Sequence, residues 1–138
     1  MDFQAYNKIL ICKDDIKNLY VGGVATAFAF RIKYPSYRGT FLSCIESLKF
    51  YIDGEEIPSS DIQFRLNGKD FLIEELSECY KEYWFVRDGA DVIVRRFGGI
   101  EPGEHTLRVH MKHRVPYTGY FGQYLVLDSD VTETKNVI

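Results

Sequence analysis

From Ala27 to Tyr34 the side chains alternate without a break. Phe28, Phe30, Ile32 and Tyr34 fall on one side, and Ala27, Ala29, Arg31 and Lys33 on the other. Wound into a helix, this set would scatter its apolar members around the axis, so a period of two dictates a strand with one buried face. The small alanines predict that the second face is partly covered near the start. The rhythm returns where Leu48, Phe50 and Ile52 oppose Ser47, Lys49 and Tyr51, and it stops at Asp53-Gly54. Asp-Gly reaches positive φ at both central positions of a type I′ turn, whose twist suits paired strands. Asn67-Gly68 repeats the signal after the alternating Ile62, Phe64 and Leu66.

Shorter runs extend the pattern. Ile9 to Cys12 reads as an edge or covering strand, and Ile16 to Val21 resumes before the Gly22-Gly23 turn. Val92 and Val94 follow Asp88-Gly89, while Leu107, Val109 and Met111 alternate until Pro116. Leu125 to Leu127 reads as the last strand, with Asp128 onward a polar tail that frays. One stretch changes period: Ile73, Leu76, Tyr80 and Trp84 recur at three or four, with Glu74-Glu75 early and Lys81 late, which suits a helix dipole. A short helix is therefore expected between Leu72 and Trp84. Turns recurring among short strands predict an all-β fold. It is an antiparallel β-sandwich, Greek-key and immunoglobulin-like or jelly-roll-like, with that one helix. The 138 residues form a single domain, 1–138, least supported over 1–21 and ending in the tail 129–138.

Charge and cysteine usage exclude several function classes. The net charge of −3 comes with no basic cluster beyond pairs such as Arg95-Arg96, so a nucleic-acid partner is not expected. The amino terminus lacks an apolar signal core, and no window is apolar enough to span a membrane. Cys12, Cys44 and Cys79 are odd in number and widely spaced, as befits free thiols in a reducing cytoplasm.

No self-contained active site emerges. His105 and His113 share a strand face but lie roughly 26 Å apart at strand rise, and His110 points the other way. One first-row ion holds its ligands about 2 Å away, so these three do not converge on a straight strand and no metal site is assigned. The carboxylates Asp53/Glu55/Glu56, Glu74/Glu75 and Asp128/Asp130 sit where turns and a helix start recruit them. Ser43, Cys44, Ser77 and Cys79 occupy no nucleophile elbow, and Gly98-Gly99 lacks the lysine and helix of a phosphate loop. No catalytic residue is assigned.

Two aromatic loops remain. One carries Tyr34, Tyr37, Arg38 and Phe41; the other carries Arg114, Tyr117, Tyr120, Phe121 and Tyr124. Tyr and Arg bury area while keeping a polar handle, the chemistry of interface hot spots and of stacking on sugars. Tyr34, Tyr37, Arg38, Arg114, Tyr117, Tyr120 and Phe121 are thus the candidate contact residues.

An ordered set of motifs carries a resemblance over residues 22 to 124. Gly23-Val24 leads into the first long strand. Then come Tyr37-Arg38-Gly39 with Leu42-Ser43, Asp53-Gly54-Glu55, Asn67-Gly68-Lys69, Trp84, and the run Gly98-Gly99-Ile100-Glu101-Pro102-Gly103-Glu104-His105. The chain resembles the small beta subunit of bacterial C-glycoside deglycosidases. The resemblance implies a β-sandwich that binds and supports a catalytic, TIM-barrel-like alpha subunit. That subunit would hold a divalent metal, often manganese, and this chain no cofactor. The complex would cleave the carbon–carbon bond between a 3-oxo sugar and an aromatic, flavonoid-type aglycone. The competing reading is a stand-alone carbohydrate-binding module stacking sugars on Tyr37, Tyr117 and Tyr120. A homo-oligomeric structural sandwich is a third.

Overall fold

The alternation resolves into two antiparallel sheets facing each other across one core, in a computed structural model that describes residues 3–115 and 125–137. Among the described residues eleven strands run in chain order as β1 (Lys17–Val21), β2 (Val24–Lys33), β3 (Thr40–Phe41), β4 (Ile45–Ile52), β5 (Glu55–Glu56), β6 (Ile62–Leu66), β7 (Lys69–Phe71), β8 (Tyr83–Trp84), β9 (Gly89–Arg95), β10 (Gly103–Val115) and β11 (Leu125–Val137). One sheet has the order β1-β2-β9-β6-β7 and the other β11-β10-β4-β5, while β3 and β8 pair at one end. The all-β sandwich read from the sequence is the observed architecture.

Each sheet contributes its inward series. Phe28, Phe30 and Ile32 of β2 meet Leu48, Phe50 and Ile52 of β4, with the Phe30 and Phe50 rings 5.5 Å apart edge to face. Burying such a side chain stabilises by about 1.5–3 kcal/mol, so these two strands hold the layers together. The outer face of β2 is partly covered at Ala27, as its small side chains require. Ile9 to Cys12, read as a strand, is not one: Leu10 and Ile11 are buried where the chain leaves a short 3-10 turn, Phe3–Ile9, and only Ile11 bridges to Ile32.

Both hairpin turns form as read. Asp53 and Gly54 have φ of 50° and 85°, Asn67 and Gly68 of 56° and 75°, the left-handed pairs of a type I′ turn.

Two further expectations are corrected. The residues after Asp128 are no fraying tail. They continue β11, paired with β10 from Leu125↔Val115 to Val137↔Gly103, and Ser129, Lys135 and Val137 are buried. The strand escapes an apolar reading because Ser129 and Lys135 stand at inward positions. Lys135 Nζ donates to the Cys12 carbonyl at 2.6 Å, which satisfies its charge there.

The helix between Leu72 and Trp84 shrinks to a 3-10 turn, Ile73–Glu78, in which Glu75 accepts the Leu72 N–H. Tertiary pairing ends it. Leu42 N–H donates to Glu82 and Ser43 N–H to Cys79, so the following residues are extended and Tyr83–Trp84 becomes β8. Among the described residues no helix is long and apolar enough to cross a membrane.

The fold yields two tests. Truncation after Asp128 removes most of β11, and thermal unfolding should fall by more than about 10 °C or lose cooperativity; an unchanged melt would restore the tail. The second concerns the Asp53-Gly54 turn, pinned by His105. His105 Nδ1 donates to the Asp53 carboxylate at 2.6 Å and Nε2 to the Glu101 carbonyl at 2.6 Å, while Asp53 also accepts Thr106 N–H. The His105 hydrogen bond holds Asp53 below the usual carboxylate range, and Asp53 raises His105 above its ordinary value. The stability from Asp53 is present above about pH 4 and lost as pH falls through its lowered pKa. That from His105 is present below about pH 6.5 and lost as pH rises through its raised one. The pair therefore contributes most between these limits. Asp53→Asn keeps a residue tolerant of the left-handed turn, so the His105 NMR titration midpoint should move down; an unmoved midpoint refutes the pairing.

A candidate binding surface at the aromatic end of the sandwich

Trp84 is the side chain around which one end of the sandwich is built. It is fully buried, its ring 5.4 Å from Phe64 and 5.7 Å from Tyr34, and its indole N–H donates to the Asp88 carbonyl at 2.8 Å. Strand alternation around it sends Tyr83 and Phe85 the other way, toward solvent. Phe41, opposite Tyr83 in the β3–β8 pair, joins them. The rings of Phe41 and Tyr83 lie 5.0 Å apart at 86°, those of Tyr83 and Phe85 4.8 Å apart at 60°. Phe41 and Phe85 are 42% and 57% exposed, which is unusual for rings already stacked on a neighbour.

The surface is a built one. Gly39 lies so close beneath it that a Cβ there would sit 2.3 Å from the Trp84 carbonyl and 2.8 Å from the Tyr83 ring. Only glycine fits. Phe41, Tyr83, Phe85 and Val86 border a shallow open groove of about 670 Å³, with Arg87 and Asp88 at its rim. An apolar floor with a polar rim is the anatomy of a protein-binding patch.

The candidate contact residues distribute unevenly around this end. Tyr34 does not face outward. It is 2% exposed, continuing the buried side of β2, and its hydroxyl donates to His113 Nδ1 at 2.7 Å. Tyr37 is half-buried against Tyr6, with ring centroids 6.0 Å apart, and the Arg38 guanidinium lies 5.8 Å over the Tyr37 ring at the exposed edge of the loop. Arg114 turns back into the chain, donating to the Ser43 carbonyl at 2.7 Å and pairing with Glu46 at 3.3 Å. Tyr117, Tyr120 and Phe121, with Tyr124, lie outside the described residues. Tyr83 and Phe85 escape sequence reading because helical spacing claims Trp84; the consecutive Tyr83-Trp84-Phe85 is the signal that marks them.

The other reactive groups are taken up structurally. His105 serves the Asp53 turn, His110 pairs with Asp128 on the outer face of β10, and His113 is buried beside Tyr34. Asp130 is held by a two-pronged bond from Arg108, which keeps its carboxyl below the usual range. Glu74 accepts from Ser59, and the three thiols are free. Burial raises the Cys12 and Cys79 thiols, so neither is poised as a thiolate. Among the described residues no three His, Cys, Asp or Glu side chains converge to hold an ion.

A second apolar area lies at the β1–β2 hairpin tip, where Tyr20, Val21 and Val24 are exposed and Phe97 is 87% exposed. Its side chains come from β1, β2 and the connector between β9 and β10, and among the described residues none of them stacks on another ring.

Known proteins resemble this chain over most of its length. The chain is 34% identical over 86 residues to a C-glycoside deglycosidase beta subunit of Eubacterium cellulosolvens, covering 62% of this chain and 58% of the relative. It is 30% identical over 109 residues to one from Arthrobacter globiformis, covering 79% and 83%. A 3'-dehydrocarminate deglycosidase beta subunit from a Microbacterium species is 31% identical over 99 residues, 70% and 73% of the two chains. The match thus spans little more than half of the Eubacterium protein's length. The family model for the C-glycoside deglycosidase beta subunit matches residues 6–117, across both sheets and the aromatic end, and the chain belongs to that family.

Proposed function

We propose that this chain is the small, non-catalytic subunit of a C-glycoside deglycosidase and that it docks its aromatic end on a larger catalytic subunit. In this reading the partner is a TIM-barrel-like alpha subunit that carries a divalent metal, and the complex is a cytoplasmic carbon–carbon lyase. Its substrate is a 3-oxo-C-glycoside with an aromatic aglycone. The 3-keto group acidifies neighbouring C–H positions of the sugar, so that proton removal can expel the aglycone carbon by elimination. No step of that chemistry is placed on this chain.

The observation that carries the reading is the Phe41–Tyr83–Phe85 stack, exposed over a core that fixes it in place. Rings held by their neighbours lose little conformational entropy on docking, which favours tight association. The name beta subunit in the relatives supports a heteromeric role, and the commitment of His105, His110, Arg108 and Arg114 to internal pairings supports leaving catalysis to the partner. Arg38 and Tyr37 at the adjoining loop edge supply polar contacts at the rim.

The test is co-expression with a candidate alpha subunit of the same organism, followed by copurification and assay on a 3-oxo-C-glycoside. The expected result is a stable complex that is active where the isolated chain is inactive. Phe41→Ala with Phe85→Ala should weaken association at least tenfold, about 1.4 kcal/mol, with the fold retained. Tyr37→Ala with Arg38→Ala should weaken association or activity by a smaller factor. Activity of the isolated chain, or binding of free sugars to it without any partner, would instead favour a carbohydrate-binding module.

A further inference from the structure

Next to last on the inward face of β10, before Val115, stands a histidine sealed among apolar side chains. His113 is fully buried, with Ile45 across from it on β4, Leu127 across from it on β11, and the Tyr34 ring 5.0 Å away edge to face. Its hydrogen bonds form a one-way chain. Tyr34 O–H donates to Nδ1 at 2.7 Å, and Ser129 O–H donates to Asn7 Oδ1 at 2.8 Å. That leaves the Ser129 oxygen as acceptor for His113 Nε2–H, 3.2 Å away. The neutral ring satisfies every link. A second ring proton on Nδ1 would meet the Tyr34 O–H donor against donor, so the hydroxyl would have to reverse and accept it, and an imidazolium charge would stand buried among apolar side chains.

The chain ties together segments that are remote in sequence. Asn7 belongs to the amino-terminal 3-10 turn, Tyr34 begins the 34–39 loop, and Ser129 lies on β11. Tyr6 against Tyr37 joins the same turn to the same loop. We propose that Tyr34–His113–Ser129–Asn7 is a proton-operated latch: it holds the amino-terminal turn and the 34–39 loop on the sandwich while His113 is neutral, and protonation releases both together.

The electrostatic surroundings agree. Of the charged groups on the packed elements, Asp128 of β11 favours the proton, but burial outweighs it and pulls His113 down to about 4. Lys8 of the amino-terminal turn and Lys33 of β2 line an outer groove beside Cys12. Lys112 is exposed, and Arg114 alternates to the opposite side of β10, where it holds Glu46. Tyr6 is engaged with Tyr37. Because His113 in an opened segment recovers its ordinary value near 6.5, opening takes up a proton below that pH. The latch is fully closed above about pH 6.5 and weakens as pH falls toward 4.

Amide hydrogen exchange on the intact protein tests this. The Leu10 N–H, bonded to Asn7, and the Ser36 N–H, bonded to Tyr34, report the two released segments; the Ile57 N–H, bonded to Phe50, reports the core. After correction for intrinsic rates, the first two should lose protection together, about tenfold per pH unit from 6.5 to 4.5, while staying below Ile57. His113→Phe should abolish that slope. If it does not fold, Ser129→Ala serves: it should speed exchange several-fold at both amides at pH 7. Loss at only one of the two amides, loss only in step with Ile57, or a slope surviving in His113→Phe would each overturn the latch.

Discussion

Burial of Tyr34 is the constraint on which the rest of this structure depends. It ends the inward series of β2, so its ring must enter the core with Phe28, Phe30 and Ile32. There it meets Trp84 and His113, and its hydroxyl donates to the imidazole Nδ1. An unpaired phenol at that depth would cost on the order of 1–3 kcal/mol, so the position of β10 relative to β2 follows from the bond. Phe64 extends the same cluster into β6. Both sheets are thereby fixed at one end by four rings.

That buried cluster determines what the outside can be. With Trp84 drawn inward, its neighbours Tyr83 and Phe85 must point out, and pairing with β3 brings Phe41 alongside. Gly39 lets the backbone approach the Trp84 carbonyl closely enough for the pair to form. Thr40, between Gly39 and Phe41, is buried with its hydroxyl unpaired in this isolated chain, one of the small costs of closing this end. An exposed aromatic stack thus follows from interior packing, and a partner that covered it would gain apolar burial without ordering flexible side chains.

The sequence displays the local part of this and hides the rest. Both type I′ turns are legible because Asp53-Gly54 and Asn67-Gly68 carry their own backbone preference, whatever surrounds them. β2 and β4 are legible because their inward positions are uniformly apolar. β11 is not, since Ser129 and Lys135 stand inward and find their partners in Asn7, His113 and Cys12, all distant in sequence. Trp84 misleads for a related reason. Its spacing from Ile73, Leu76 and Tyr80 mimics a helix, while its true partner strand begins at Thr40. Of the candidate contacts, Tyr37 and Arg38 lie on the loop that leads through Gly39 into β3, with Tyr37 packed on Tyr6. Tyr34 belongs inside, as its place in the Phe28–Phe30–Ile32 series already implied. Tyr83 and Phe85 become visible as a surface only once that pairing is known.

Whether the aromatic end is the face that meets another polypeptide is tested most directly by the exchange footprint of the assembled complex. Deuterium uptake of this chain, alone and copurified with a candidate catalytic partner, should show protection concentrated at residues 37–41 and 83–87, with the β1–β2 hairpin unchanged. Protection confined instead to Tyr20, Val21, Val24 and Phe97 would contradict it.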